Sequence, residues 1–97
     1  MTSGSVRLAA DGVVGSSGHP VRVYNVVALS GATAGVLVLR NGTSASGTIY
    51  VQTTCPTVSE TNTFNFCGGL TFPDGCFFDI DTNISAVVVN YEQVGSL

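Results

Sequence analysis

Asp79, Asp81 and Asn83 alternate along Phe78-Asp79-Ile80-Asp81-Thr82-Asn83, so in an extended chain their oxygens lie on one face. Side-chain oxygens at that spacing suit a hard cation such as calcium. The helix-loop calcium motif further needs glycine at its sixth position and a bidentate glutamate at its twelfth, where this chain has Ile84 and Asn90. An acidic strand end running into a turn is therefore the expected reading, with Asp79, Asp81 and Asn83 kept as a weak metal candidate and no cofactor expected.

Other reactive side chains are scattered. His19 could act as a base, but nucleophilic catalysis needs a nucleophile, a base and an orienting group converging in one pocket. No G-x-S-x-G elbow or phosphate-binding glycine loop accompanies it. Cys55, Cys67 and Cys76 lie 12 and 9 positions apart with no C-x-x-C knuckle, so they read as buried structural thiols rather than zinc ligands. Their odd number also argues against a secreted disulfide scaffold, although one pair could still bridge. Phe64, Phe66, Phe72, Phe77 and Phe78 gather in the second half, where core packing is the common role and stacking on sugars the rarer one.

These residues must be positioned by strands. Helix formers and i, i+3, i+4 periodicity are scarce, while valine, threonine, serine and glycine dominate. Ser5–Ala9, Val21–Ser30, Gly35–Arg40, Gly47–Thr54, Thr63–Cys67, Cys76–Ile80 and Ile84–Glu92 are predicted as strands, separated by turns at Gly12–Gly18, Asn41–Ser46, Pro56–Asn62 and Phe72–Gly75. Asn41-Gly42 is the strongest hairpin signal and should join its flanking strands as antiparallel neighbours. The expected fold is an all-β, antiparallel β-sandwich or jelly-roll-like domain of seven or eight short strands. Residues 19–97 form that domain, and the glycine- and serine-rich residues 1–18 are expected as a flexible or subunit-exchanged arm.

Composition sets further bounds. The chain has 97 residues and a formal net charge of −3, with three arginines and no lysine. One hydrophobic core fits that length, and the missing basic patch argues against nucleic acid. The first residues lack the basic and apolar regions of a secretory signal. Apolar runs reach four residues, as in Val36-Leu37-Val38-Leu39, far short of the roughly 20 of a membrane-spanning helix. Neither nucleic acid nor membrane is an expected partner.

Strict alternation places Val21, Val23, Val27 and Leu29 on one face of their strand, and Tyr24, Val26 and Ala28 on the other. In the last strand Ile84, Ala86 and Val88 oppose Val87, Val89 and Tyr91. Apolar residues on both faces call for cover on both. Tyr24, Val26, Val89 and Tyr91 are therefore expected at an interface with sister subunits or a larger assembly.

Pro20 to Val26, Gly35 to Leu39 with Arg40-Asn41-Gly42-Thr43, Gly47-Thr48-Ile49-Tyr50, Phe72-Pro73-Asp74-Gly75-Cys76-Phe77 with Asp79, and Val87-Val88-Val89-Asn90-Tyr91-Glu92 together form a pattern that resembles small β-rich virion proteins of tailed bacteriophages, of the marine and cyanobacterial phage type. The resemblance implies a non-enzymatic structural protein of the virion, assembled in the host bacterial cytoplasm. Its implied role is capsid decoration (cement), bridging capsid subunits as a homotrimer with the major capsid protein as partner. A tail-associated accessory protein contacting tail proteins, or a host-surface carbohydrate-binding module, is the alternative. No catalytic, cofactor-binding or metal residue is carried over by it.

Overall fold

The computed structural model describes residues 2–15, 18–31, 33–55 and 61–93. Eight strands follow one another: β1 (Thr2–Leu8), β2 (Gly12–Val14), β3 (Val21–Ser30), β4 (Gly35–Asn41), β5 (Thr48–Cys55), β6 (Thr61–Phe72), β7 (Cys76–Ile80) and β8 (Ile84–Gln93). They form two four-stranded antiparallel sheets, β1-β8-β3-β6 and β2-β7-β4-β5. Strands β1·β8, β2·β7, β3·β6 and β4·β5 pair as nested arms of one long hairpin. The β3·β8 and β4·β7 ladders roll that hairpin into two layers. This strand order is the eight-stranded jelly roll, so the all-β sandwich read from the residues is the observed architecture.

Alternation drives the core. Leu37 and Leu39 of β4, Cys76, Phe78 and Ile80 of β7, and Val21, Val23, Val26 and Ala28 of β3 pack with Phe72, Val87 and Val89 in one cluster between the layers. Burying a side chain of this size contributes about 1.5–3 kcal/mol. Two buried polar groups are satisfied: the Ser30 hydroxyl donates to the Cys55 carbonyl at 3.3 Å, and Gln93 Nε2 donates to the Pro20 carbonyl at 2.7 Å.

Residues 1–18 were expected as an arm, but their described part supplies an edge strand to each sheet of the same chain. Gly4, Val6 and Leu8 of β1 stand opposite Tyr91, Val89 and Val87, and Val14 of β2 is fully buried. Strand β2 escapes sequence reading because three residues are too few to show a period. The part of the Pro56–Asn62 turn at 56–60 lies outside the described residues.

Strand β6 is longer than predicted and is interrupted. Val23 pairs with Leu70 and Asn25 with Asn65, so Phe66-Cys67-Gly68-Gly69 bulges out opposite the single residue Tyr24. Gly69 has φ +92°, and a Cβ there would collide with Arg22 Cγ. Only glycine meets both demands at that position.

Candidate functional site

The two-faced apolar pattern of β3 has a local cause. The register of β3 skips Tyr24 against both of its neighbours, and an extra residue in a strand reverses the facing of the residues after it. Val21, Val23, Val26 and Ala28 consequently all point inward, while Val27 and Leu29 point outward. In β8 the register is irregular around Ser85, and Ala86 and Val87 are both buried in succession.

This corrects the expected interface. Val26 and Val89 are fully buried in the chain's own core and are unavailable to a partner. Tyr91 packs against that core with its ring over Gly4, where a Cβ would come within 2.9 Å of it. Tyr24 is half-buried and donates its hydroxyl to Glu92 Oε1 at 2.9 Å. Arg22 reaches Glu92 at 3.6 Å and Thr71 Oγ1 at 3.3 Å. Asn90 Nδ2 donates to Asn25 Oδ1. The outer face of β1-β8-β3-β6 thus combines a polar, self-bonded part around Arg22, Tyr24, Asn25 and Glu92 with an apolar part at Val27, Leu29 and Val88, the last two 39% and 37% exposed.

The outer face of β2-β7-β4-β5 is different. Val36 and Val38 alternate with the buried Leu37 and Leu39, and Phe77 alternates with Cys76 and Phe78. Val13, Phe77, Arg40 and Ile49 then fall in one cross-strand row. Val38 is paired with Asp79 and Gln52 in the next. Within this apolar surface Arg40 Nε meets Asp79 Oδ2 at 3.2 Å, and Arg40 Nη1 donates to the Gly47 carbonyl at 3.0 Å. An ion pair this accessible adds about 0–1 kcal/mol to stability. It sets a partly exposed charge pair between the Phe77 and Val38 rows of the face. Ile49 is 45% exposed at the margin. In β4, therefore, Val36 and Val38 face outward while Leu37 and Leu39 are buried, without any extra residue in that strand.

The metal candidate does not converge. Strand β7 ends at Ile80, so Asp79 stays on the sheet with Arg40 while Asp81 and Asn83 enter the turn. Asp81 Oδ1 accepts from the Asn83 N–H at 3.0 Å and from Thr82 Oγ1 at 3.4 Å, and Oδ2 accepts from the Val36 N–H at 3.4 Å. The Asn83 and Val36 amides, in that order, hold the Asp81 carboxyl below its ordinary range. Among the described residues no three His, Cys, Asp or Glu side chains gather as a metal site would require. Beside this turn lies an open cleft of about 550 Å³ lined by Ala9, Ala10, Asp11, Ile80, Asp81, Thr82 and Ile84. Asp11 Oδ1 is engaged by the Ile80 N–H at 2.8 Å, so both carboxylates of the cleft serve the fold.

The remaining reactive groups are separate as well. His19 stands in the β2–β3 loop, its carbonyl beside Gly75. Cys55 and Cys76 are buried and unpaired, as expected, whereas Cys67 is exposed on the β6 bulge. Burial pushes the Cys55 and Cys76 thiols up. Phe72 and Phe78 are core residues, and Phe64 and Phe66 pack against the core. Tyr50 was not singled out by sequence. Its ring, 42% exposed, stacks on the buried Phe72 with centroids 5.2 Å apart. The β4–β5 register skips it, and nothing in Thr48-Ile49-Tyr50-Val51 signals that bulge.

Comparison with protein-family models, with curated proteins and with solved structures finds no match to this chain.

Proposed function

We propose that this chain is a non-enzymatic structural protein of a virion, a capsid decoration protein that binds the major capsid protein through the outer face of β2-β7-β4-β5. The observation that supports this is the patch of Val13, Val36, Val38, Phe77 and Ile49, spread over adjacent cross-strand rows, around the Arg40–Asp79 pair. An apolar surface around a central ion pair suits burial against another folded protein, since the apolar surroundings exclude water from the charges. The jelly roll recurs in viral capsid domains and in lectins, which is analogy at the level of fold. A decoration protein bound to several subunits stabilises the lattice by mass action and needs no chemistry. A homotrimer matches three-fold lattice positions.

The test is co-sedimentation of the protein with expanded heads of its major capsid protein, followed by the temperature at which those heads break. Wild type should bind and raise that temperature. Val38→Lys, on the proposed face, should abolish both effects, and Val27→Ser, on the opposite sheet, should leave them intact. Heads that bind both variants equally, or neither wild type nor variants, overturn the reading.

A second reading, attachment of a tail-associated module to host-surface glycans, is favoured by Tyr50. Its ring stacks on Phe72 while the residue stays 42% exposed, a geometry that suits sugar stacking. Binding to a host polysaccharide that disappears in Tyr50→Ala while Val38→Lys retains it supports this reading over decoration.

A further inference from the structure

Asn41-Gly42 does more than turn the chain. Asn41 ends β4 and is paired with Thr48 of β5 and Cys76 of β7. Its side chain is clamped twice by the β6–β7 turn: Nδ2 donates to Asp74 Oδ2 at 3.0 Å, and the Asp74 N–H donates to Oδ1 at 2.9 Å. The Gly42 N–H donates in turn to the Gly75 carbonyl at 2.9 Å. The two atoms that would have to meet in a deamidation, Gly42 N and Asn41 Cγ, are thus each anchored to the same neighbouring turn.

We propose that Asn41 is a latent deamidation site which the Asp74–Gly75 turn holds closed, and whose conversion then prevents the turn from closing again. Glycine has no side chain to shield its nitrogen, so the chemistry needs only local opening of the turn. The Gly42 nitrogen loses its proton to solvent base and bonds to Asn41 Cγ. The Cγ–Nδ2 bond breaks, ammonia leaves, and water opens the resulting succinimide at either carbonyl to aspartate or isoaspartate. Aspartate sets a second carboxylate against Asp74 Oδ2 in place of a donor, and like charges at that distance repel. Isoaspartate in addition lengthens the backbone by one methylene. Either product pushes apart the two turns that close this end of the jelly roll.

The experiment incubates the full folded chain at neutral pH beside the same chain unfolded in urea, and follows the amide-to-acid mass increment and isoaspartate content in the peptide containing residue 41. Folded wild type should convert at least about tenfold more slowly than the unfolded chain, as expected when the reaction must await local opening. Asp74→Ala should convert several-fold faster than wild type while still folded, and Asp74→Asn, which keeps an acceptor oxygen, should match wild type. Hydrogen exchange of the Gly42 amide provides a readout that needs no variant: its rate should rise in step with conversion as urea is added below the unfolding midpoint. Equal conversion of folded and unfolded wild type, equal rates for folded Asp74→Ala and wild type, or Gly42 exchange that stays flat while conversion accelerates, overturns the proposal.

Discussion

Val23 and Val26 face the same core although three positions separate them in one strand, a spacing that regular alternation assigns to opposite faces. Tyr24 is the reason: it is the residue that β3 carries in excess of β8, and it stands alone opposite the four-residue bulge of β6. The bulge gathers Val21, Val23, Val26 and Ala28 on one side and leaves the Tyr24 hydroxyl on the other, bonded to Glu92.

Two single-residue deletions should therefore behave oppositely. Deleting Tyr24 leaves Val21, Val23, Val26 and Ala28 in ordinary alternation, so the domain should still fold. It should lose about 1–3 kcal/mol for the missing hydrogen bond to a carboxylate and the altered bulge. Deleting Val27 instead turns Ala28 and Ser30 outward and drives Leu29 into the core, a register error that should prevent folding. Circular dichroism and amide chemical-shift dispersion of the two variants check this; a folded Val27 deletion would mean that β3 re-registers freely and that the bulge does not determine facing.

The same bulge explains what the residues did and did not reveal. The limits of β3 and β7 and the β4–β5 hairpin were legible because each rests on a local signal, alternation of valines or Asn-Gly in a turn. The sandwich class followed from having enough such strands, whereas the order of strands within each sheet did not. Strict alternation misassigns the facing of β3 because one extra residue reverses it without leaving a mark in composition, so Val26 lies in the core; Val89 alternates regularly in β8 and is buried because its face of that strand is the inward one. The acidic run at 79–83 shares one face only as far as β7 continues; the strand stops at Ile80, and Asp79 and Asp81 part company there. The surface formed by Val13, Val38 and Phe77 was not legible at all, because it depends on which strands lie side by side.

Thiol chemistry should separate the three cysteines. Cys67 is exposed on the bulge, while Cys55 and Cys76 are buried with thiols pushed above their ordinary value of 9.0, and the thiolate is the reactive form. A thiol-specific reagent at neutral pH should label Cys67 in the native protein within minutes and all three cysteines after unfolding, as read by mass spectrometry. The raised values also have a sign. The folded chain keeps these protons to higher pH than the unfolded chain does, so their contribution is complete below about pH 9 and is lost as pH rises beyond it. Melting temperature should fall above pH 9, and less so in Cys76→Ala once its own cavity cost is subtracted. Native labelling of Cys76 as fast as Cys67 would contradict the burial that underlies both expectations.

Asp81 makes the complementary expectation in acid. The Asn83 and Val36 amides favour its charged form, so its folded value lies below the ordinary 3.8. Between the two values the unfolded chain binds the proton and the folded chain does not, and stability therefore rises with pH in that window. The contribution is present above the ordinary value and is lost as pH falls through the folded one. Asp81→Asn should accordingly lower the melting temperature at pH 7, where the carboxylate is charged and accepting. Against wild type the difference should shrink toward zero near pH 2, where protonation has already weakened the same hydrogen bonds. Asp81→Ala removes the acceptors altogether and should remain less stable than wild type at both pH values. Thermal melts of the three proteins from pH 2 to pH 7 decide the matter: parallel curves for wild type and Asp81→Asn would show that the turn is held by the Ile84 N–H bond to the Asp81 carbonyl, at 2.9 Å, rather than by the carboxylate.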